Sequence, residues 1–470
     1  MRGFVSLNLI SCVLLLLTSC NYFYPTFHNP DITYMSKWQR QSSNEVSNLP
    51  YLTWWQLLQS NELNELIDNA LKNNQKLELA AQNIQIARSQ LLTIKLNWLP
   101  KLNLLLGHSS GNNDLSVGQM SIPLEGLGSF FAAMPSYTIN LFANFQKQKM
   151  ANHIVKATYA EFLGARLIII AQTVQTYFVI LEQENKLNEL NKLESKLKEL
   201  VVLSQNMETH GMSSYLIINQ LESDLLLLKG QIILTNNNIT KAKNILRYLL
   251  GKEPGELTLR SNFSQIQVDQ IIPGNLPVNV ISARPDIIAA EQALIATNKS
   301  IGLASSALLP AISLRLFYAS TDDFHQHFHN RSSSLIWLPS PAVLGMIKHA
   351  KASYKAALIN YIDIVNQALH QTNNALNTYQ AWKDSYQYLF QSVVKITDNV
   401  ELQEEMKSRG IVSERIVILN EIAQITSTIE LSDAKLAALL ALTNVYLELG
   451  GGYMHNIENI KIKKEIKLND

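Results

Sequence analysis

The sequence is poor in residues that interrupt or cross-link regular structure. Its 470 residues include 18 glycines and 13 prolines, and both residue types are unfavourable inside helices. Their scarcity favours long, uninterrupted helices. Cysteine is scarcer still: the two cysteines are Cys12 and Cys20, and Cys12 lies in an apolar N-terminal segment. A chain processed after this segment would retain Cys20 alone, which excludes an intrachain disulfide framework.

An excess of one charge sign is also lacking. The chain has 39 Lys and Arg residues and 38 Asp and Glu residues, for a formal net charge of +1. No basic stripe is interleaved with aromatic residues, so nothing predicts nucleic acid binding. The sequence shows no phosphate-binding glycine loop, no nucleophile motif and no paired carboxylates in a cleft-forming context. We therefore expect no enzyme activity and no resident cofactor or metal ion.

The N-terminus has the features of a targeting segment. Arg2 precedes the apolar run "FVSLNLISCVLLLL", which is too short for a stable membrane span. The next residues, "LTSC" at 17–20, resemble the bacterial lipoprotein signal, in which the cysteine is lipidated and becomes residue one. The resemblance implies a covalent lipid on Cys20. Asn21, in place of an inner-membrane retention aspartate, implies the outer membrane. Past Cys20 we find no apolar run of roughly 20 residues that could form a spanning helix.

The rest of the chain contains an internal repeat. Residues 77–104 align without a gap on residues 287–314, at a shift of 210 positions. Each copy has helical apolar spacing, stops at a Leu-Pro pair and then alternates polar and apolar residues. A further helix precedes the first copy, with Asn61 as its predicted N-cap. Identical pairs include Ala80/Ala290, Gln82/Gln292, Leu99/Leu309, Pro100/Pro310 and Leu104/Leu314.

The alternating runs predict two strand hairpins, at about residues 101–142 and 311–340. The runs are about as long as barrel strands that cross a membrane, roughly 9–11 residues. Four strands cannot close a barrel alone, because single-chain barrels start near eight strands, so the sheet edges need partners. The alternating apolar residues are Leu102, Leu104 and Leu106, then Tyr137, Ile139 and Leu141, then Ile312, Leu314, Leu316 and Tyr318.

Long helical regions follow each hairpin, at about residues 146–250 and 345–449. Leu190, Leu193, Leu197 and Leu200 have heptad spacing, which predicts coiled-coil packing in water. Each region is interrupted by a glycine, and this position suits a left-handed helix C-cap. The two turn glycines are Gly211 and Gly410, and the capping candidates for the helices that follow are Ser213 or Ser214 and Ser413.

These patterns predict a mainly α-helical, internally duplicated chain with a small β part. We divide it into a signal peptide (1–19), a linker (20–50), a first repeat (51–260), a second repeat (261–455) and a C-terminal tail (456–470). The long helices and the open strand edges both call for partners, and an oligomer would satisfy both needs.

Several motifs in this order resemble the TolC-like outer membrane factor family, and the Cys20 signal resembles its lipoprotein branch, which serves resistance-nodulation-division efflux pumps. The motifs are "YLTWWQLLQSNELNELIDNALKNNQKLELA", "LLG", "RPDIIAAEQALIATNKSIGLASSALLPAISL" and "LELGGGY". The resemblance covers about residues 50–455. It implies a homotrimer with a 12-stranded outer membrane barrel, a periplasmic helical tunnel, and export of small molecules. The implied partners are outer membrane lipid, a periplasmic adaptor protein and an inner membrane pump.

The resemblance also assigns candidate sites. Gly211, Gly410 and the neighbouring serines would form the periplasmic tip that meets the adaptor. Family members often carry an aspartate ring nine residues after the second turn glycine, but Leu419 stands there in this chain. Leu419, Asn420 and Glu421 are therefore the gate candidates. We expect Leu419 in a helix seam and Asn420 or Glu421 near the lumen.

Three other interpretations remain open from the sequence. The chain could be an outlet for type I protein secretion, or a structural coiled-coil lipoprotein without a pore. It could also bind zinc or copper, because His325, His327 and His329 alternate and would share one face of a strand. A polar loop beside the barrel is the simpler interpretation of these histidines.

Overall fold

The computed structural model describes residues 54–109, 114–117, 120–123, 128–267, 278–321, 327–336 and 340–450. The predicted signal peptide, Cys20, the linker, the C-terminal tail and His325 lie outside these residues. The chain divides into two compact units, one containing Gln82–Tyr159 and Ala289–Asp363, the other containing the described parts of Thr33–Ala81, Ala160–Ile288 and Ile364–Asp470. Each unit draws on both predicted repeats, so the compact units differ from the repeats.

The order of helices and strands follows the predicted duplication. Two short strands, β2 and β3, form a separate sheet within the first half. The elements are α1 (Asn61–Asn73), α2 (Gln75–Leu96), β1 (Lys101–Ser109), β2 (Asp114–Val117), β3 (Met120–Pro123), β4 (Gly128–Ile139), α3 (Leu141–Thr209), α4 (Tyr215–Leu249), α5 (Pro285–Ser305), β5 (Ala311–Thr321), β6 (His327–Ile336), α6 (Ala342–Ser408) and α7 (Glu414–Glu448).

Two local predictions were wrong. Leu141, assigned to a strand, is the first residue of α3. The Asn140 side chain accepts a hydrogen bond from the Ala143 backbone N–H and begins the helix instead. Asn61 is the first helical residue of α1, and Ser60 is the N-cap, with its hydroxyl accepting from the Leu63 backbone N–H.

The larger sheet joins the two halves of the sequence. Its strand order is β1-β4-β5-β6, all neighbours antiparallel, and the halves meet where Tyr137 pairs with Leu314 and Ile139 with Ile312. Within the described residues β1 and β6 are the outer strands, so both edges present unpaired backbone groups. Every second residue on β1 and β5 forms an exposed apolar face of the sheet. These residues are Leu102, Leu104, Leu106, Ile312, Leu314, Leu316 and Tyr318. An exposed apolar face on a sheet is typical of contact with lipid.

The second unit has a conventional buried core. Trp54 stacks on Tyr446, with ring centroids 4.5 Å apart, and both side chains are buried. The predicted heptad leucines also pack as expected. Leu190, Leu197 and Leu200 form a buried cluster with Leu228 of α4 and with Ile418 and Ile429 of α7. This confirms coiled-coil packing between α3 and its neighbours in this unit.

One expectation about apolar segments needs correction. Helix α3 contains an 18-residue window with mean hydropathy 1.4, which is long and apolar enough to cross a membrane by composition alone. Ile170, Val174, Tyr177 and Phe178 of this helix are buried in the core that contains Trp54. Of the apolar window, 44% is buried inside the protein, so packing within the chain accounts for part of the apolar character of α3.

Candidate functional site

Both predicted turn glycines have left-handed backbone conformations. Gly211 and Gly410 each have φ of +71°. The Gly211 N–H donates to the carbonyl of Glu208 at 2.8 Å, and the Met212 N–H donates to that of Met207 at 2.8 Å. These two bonds form a Schellman motif, which satisfies carbonyls left over at the end of α3. The Gly410 turn repeats both bonds at 2.9 and 3.0 Å.

A second pair of glycines ends α4 and α7, the two helices that follow the turn glycines and that we call the return helices. Gly251 has φ of +67° and Gly450 has φ of +73°. Their surroundings differ from those of the turn glycines. A Cβ atom at Gly211 or Gly410 would have nothing within 4 Å, whereas a Cβ atom at Gly251 would collide with the carbonyl group of Asn73. At positions 211 and 410 only the backbone conformation requires glycine. At position 251 both the backbone conformation and the close contact with Asn73 require it.

The serines after the two turns behave unequally. Ser214 is the N-cap of α4, and its hydroxyl accepts from the Leu216 backbone N–H at 3.3 Å. Ser413 is the N-cap of α7 by position, but its side chain makes no capping bond. Ser213 does not cap a helix, and its buried hydroxyl has no described hydrogen-bond partner. The prediction of a serine cap is thus fully met only at Ser214.

The two turns carry exposed apolar side chains. Leu216 is 78% exposed and Ile411 is 63% exposed, and Met212 and Tyr215 are exposed as well. Exposed apolar side chains grouped at a turn are available for contact with a partner. Gly211 and Gly410 thus shape two turns that each present an apolar tip.

The gate candidates lie in the second turn of α7 and do not share one environment. Leu419 is 43% exposed within one chain, so it does not pack in a seam between helices of the same chain. Its neighbours Val417 and Ile418 are buried instead, because the face of α7 that packs against the other helices includes these two positions and not Leu419. The Asn420 amide donates to the Ile416 carbonyl at 2.8 Å.

Glu421 is engaged in an ion pair. Its carboxylate lies 2.7 Å from the Lys196 ammonium on α3, and this contact is the largest cause that raises the Lys196 pKa. Within one chain Glu421 therefore links α7 to α3 and does not stand as an isolated carboxylate. The assignment of a pore constriction to Leu419, Asn420 or Glu421 stays a prediction.

Sequence reasoning missed Arg284, a cation of the second unit whose side chain makes five hydrogen bonds. Its buried guanidinium donates to both carboxylate oxygens of Asp286, to the side chain and carbonyl of Glu448, and to the Gln371 amide oxygen. It thus holds the start of α5 against α6 and the end of α7. The motif "RPD" was a visible signal, but two of the three partners are distant in sequence.

The histidine loop gains no support as a metal site from the described residues. Across the described ranges no group of three or more His, Cys, Asp or Glu side chains could hold a metal ion. His325 falls outside these ranges, and for His327 and His329 only the backbone is described, in β6. Metal binding by this loop stays an open prediction.

Comparison with known proteins gives consistent matches. The family "Outer membrane efflux protein" matches residues 66–252. The cation efflux system protein CusC of Escherichia coli O6:H1 is 24% identical over 464 residues, covering 94% of this chain and 98% of CusC. The solvent efflux pump outer membrane protein SrpC of Pseudomonas putida is 24% identical over 411 residues, covering 83% and 85%.

Solved structures agree on the fold. The CmeC outer membrane channel of Campylobacter jejuni superposes with a TM-score of 0.77 at 20% identity, covering 92% of this chain and 95% of CmeC. With the family match and the near full-length relatives, this likeness confirms the resemblance that the motifs indicated. The chain is thus similar to outer membrane efflux proteins along most of its length, and its residues 66–252 match the family of that name.

Proposed function

We propose that this protein is the outer membrane channel of a tripartite efflux pump, and that it exports small toxic compounds from the periplasm. One observation carries the proposal: a four-stranded sheet exposes an apolar face and two unpaired edges, in a chain otherwise built from long helices. Such a sheet is suited to a lipid environment only when its edges are closed. The whole-length similarity to CusC and SrpC, both named as efflux proteins, supports the same function.

The channel would be a homotrimer. Three copies of the four-stranded sheet would supply twelve strands, enough to close a barrel. Helix α4 offers further support, because Leu226, Leu227, Ile233 and Leu234 are exposed on it. A second copy of the chain would cover such residues and remove them from water.

The two apolar turns would dock onto a periplasmic adaptor that also contacts an inner membrane pump. Gly410→Val should strain the left-handed turn and weaken chemical crosslinking to the adaptor, while trimers persist on native gels. Gly345→Val is the matched control, since Gly345 lies in helix α6, lacks a positive φ and has open space around it. Equal crosslinking by both variants would contradict docking at the Gly410 turn.

The lipid anchor would be attached at Cys20. A single acyl chain holds a protein weakly in a membrane, so the several acyl chains of a bacterial lipoprotein would be needed for stable anchoring. Cys20→Ser should abolish incorporation of a radiolabelled fatty acid and block normal processing. Undiminished labelling of this variant would overturn the assignment.

The export function is tested by gene deletion with a panel of metal salts, solvents, detergents and antibiotics. The deleted strain should become sensitive to at least one class and accumulate it, and the wild-type gene should restore export. Secretion of an unfolded polypeptide as the only lost activity would favour the type I secretion alternative. Absence of conductance by purified trimers in planar bilayers would favour a structural protein without a pore.

A further inference from the structure

A buried acidic side chain that the proposed export function leaves unused lies in the middle of helix α3. Glu182 is 0% exposed. One carboxyl oxygen accepts a hydrogen bond from the Gln183 amide at 2.7 Å. The other, Oε1, is buried, and no described donor lies within hydrogen-bond distance of it. An ionised carboxylate is costly to bury unless its oxygens are paired, so this arrangement favours the neutral acid.

The neighbour of Glu182 across the helix interface is a second carboxyl group. The Lys186 ammonium, one turn along α3 from Glu182, holds Asp433 of α7 against this part of α3, so a hydrogen bond between the two carboxyl groups is within reach. Two carboxylates are both acceptors, so that bond requires a proton on one of them. Asp433 is itself held by the Lys186 ammonium at 2.8 and 2.9 Å.

The other charged and polar groups around this contact are already engaged. Asn185 and Ser432 are hydrogen-bonded at 3.2 Å beside the carboxyl pair. Lys243 of α4 is paired with Glu184, two residues along α3 and hence on the opposite side of that helix. Lys435 of α7 donates to the backbone carbonyls of Phe263 and Ser264. Asp433 and Lys186 are therefore the charges that act on Glu182.

We propose that Glu182 and Asp433 share one proton, and that this proton makes the contact between α3 and α7 a pH-sensitive link. With the proton present, the Glu182 hydroxyl donates to the Asp433 carboxylate and holds the helices together. When it is lost to solvent through the half-exposed Asp433, two negative charges face each other in a buried interface. The link follows from the packing of one chain and does not depend on the proposed export function.

The direction of the pH dependence follows from the environment. Burial, and then the charge of Asp433, raise the pKa of Glu182 to about 7, although Lys186 acts in the opposite sense. An acid whose pKa is higher in the folded state stabilises that state most below its ordinary pKa of 4.5. This contribution is lost as the pH rises through about 7. The interface between α3 and α7 should therefore loosen between mildly acidic and mildly alkaline conditions.

Hydrogen exchange of the full-length protein in detergent tests the link. Between pH 5.5 and 8.0, after correction for intrinsic exchange rates, protection of peptides spanning residues 178–186 and 429–437 should fall roughly 25-fold, which is the linkage expected for openings that expose Glu182. Glu182→Gln should abolish this dependence, because the amide keeps one state at both pH values. Glu184→Gln, the matched control on the other side of α3, should retain it.

Asp433→Asn is a second variant that tests the shared proton even if Glu182→Gln fails to fold. It removes the negative neighbour and releases Lys186 for Glu182, so the midpoint of the transition should move to lower pH. A flat wild-type profile would overturn the proposal. The same holds if Glu182→Gln responds like the wild type, if Glu184→Gln abolishes the response, or if Asp433→Asn leaves the midpoint unchanged.

Discussion

The left-handed glycines allow a quantitative test of how turn conformation and packing contribute to stability. The perturbation is a single added methyl group: Gly→Ala at position 211, 251 or 230. Gly211 and Gly251 have φ of +71° and +67°. Gly230 lies inside helix α4, lacks a positive φ, and has nothing within 4 Å of the position that the new methyl group would occupy. The chemical change is identical at the three positions, so differences report the local structure.

The expected free energies differ in size and sign. At Gly211 only the backbone conformation opposes a Cβ atom, which costs about 1–2 kcal/mol for an L-residue. At Gly251 the same cost applies, and the new Cβ would also lie 3.2 Å from the carbonyl carbon of Asn73 and closer to its oxygen. Relief of that overlap adds about 1–3 kcal/mol. At Gly230 alanine should stabilise the helix by roughly 0.5–1 kcal/mol.

Local hydrogen exchange is the appropriate assay, because it reads the opening of each turn separately. Amides following Gly211 should exchange roughly 5- to 30-fold faster in Gly211→Ala, as expected for about 1–2 kcal/mol. Gly251→Ala should accelerate its own turn by more than this, and Gly230→Ala should slow exchange in α4. Equal effects of Gly211→Ala and Gly251→Ala would refute the argument that the Asn73 carbonyl adds a packing cost.

Three further predictions concern single side chains. Arg284→Met should destabilise the second unit by about 1–3 kcal/mol in a denaturant titration, because it removes the donor from several acceptors at once, while water can still reach the partly exposed carboxylates of Asp286 and Glu448. A change below about 1 kcal/mol would show that water replaces all of these bonds. Ser214→Ala should cost about 0.5–2 kcal/mol and Ser413→Ala close to nothing, measured by exchange in the first turns of α4 and α7, since only Ser214 makes a capping bond. Glu421→Gln should leave the effect of divalent cations on bilayer conductance unchanged, because the Glu421 carboxylate is paired with Lys196 within one chain; a changed effect would support Glu421 as part of the gate.

Features with a local periodic signal were predictable from the sequence. The repeat, the two hairpins and the four long helices each have such a signal, and the glycine turns follow from helix-ending chemistry. The boundary at Leu141 was misjudged because alternation and helical spacing coincide over a few residues. Strand β4 begins at Gly128, well before the alternating run that predicted it. The sequence did not reveal this start because the first eight residues of the strand, "GSFFAAMP", lack alternation.

Side-chain environments that depend on the phase between helices were not predictable. Whether Leu419 is buried depends on which face of α7 meets α3, and a rotation by one residue, about 100°, reverses the answer. Glu182 and Asp433 lie far apart in the sequence, and neither residue belongs to a motif. The bonds between Arg284 and Glu448 likewise join distant positions. Such contacts require the fold before they can be identified.

The return helices α4 and α7 have the same length, 35 residues each, between a turn glycine and a closing glycine. Thirty-five residues correspond to about five heptads and to about 52 Å. This equality restricts how such a chain can change in length during evolution. A one-residue insertion in α4 alone would rotate every later side chain by about 100° and break its packing with α3. Length changes should therefore be tolerated only as whole heptads. Each heptad would have to be added both to the helix before the turn (α3 or α6) and to the helix after it (α4 or α7), so that the periodicity and both helix-ending glycines are preserved.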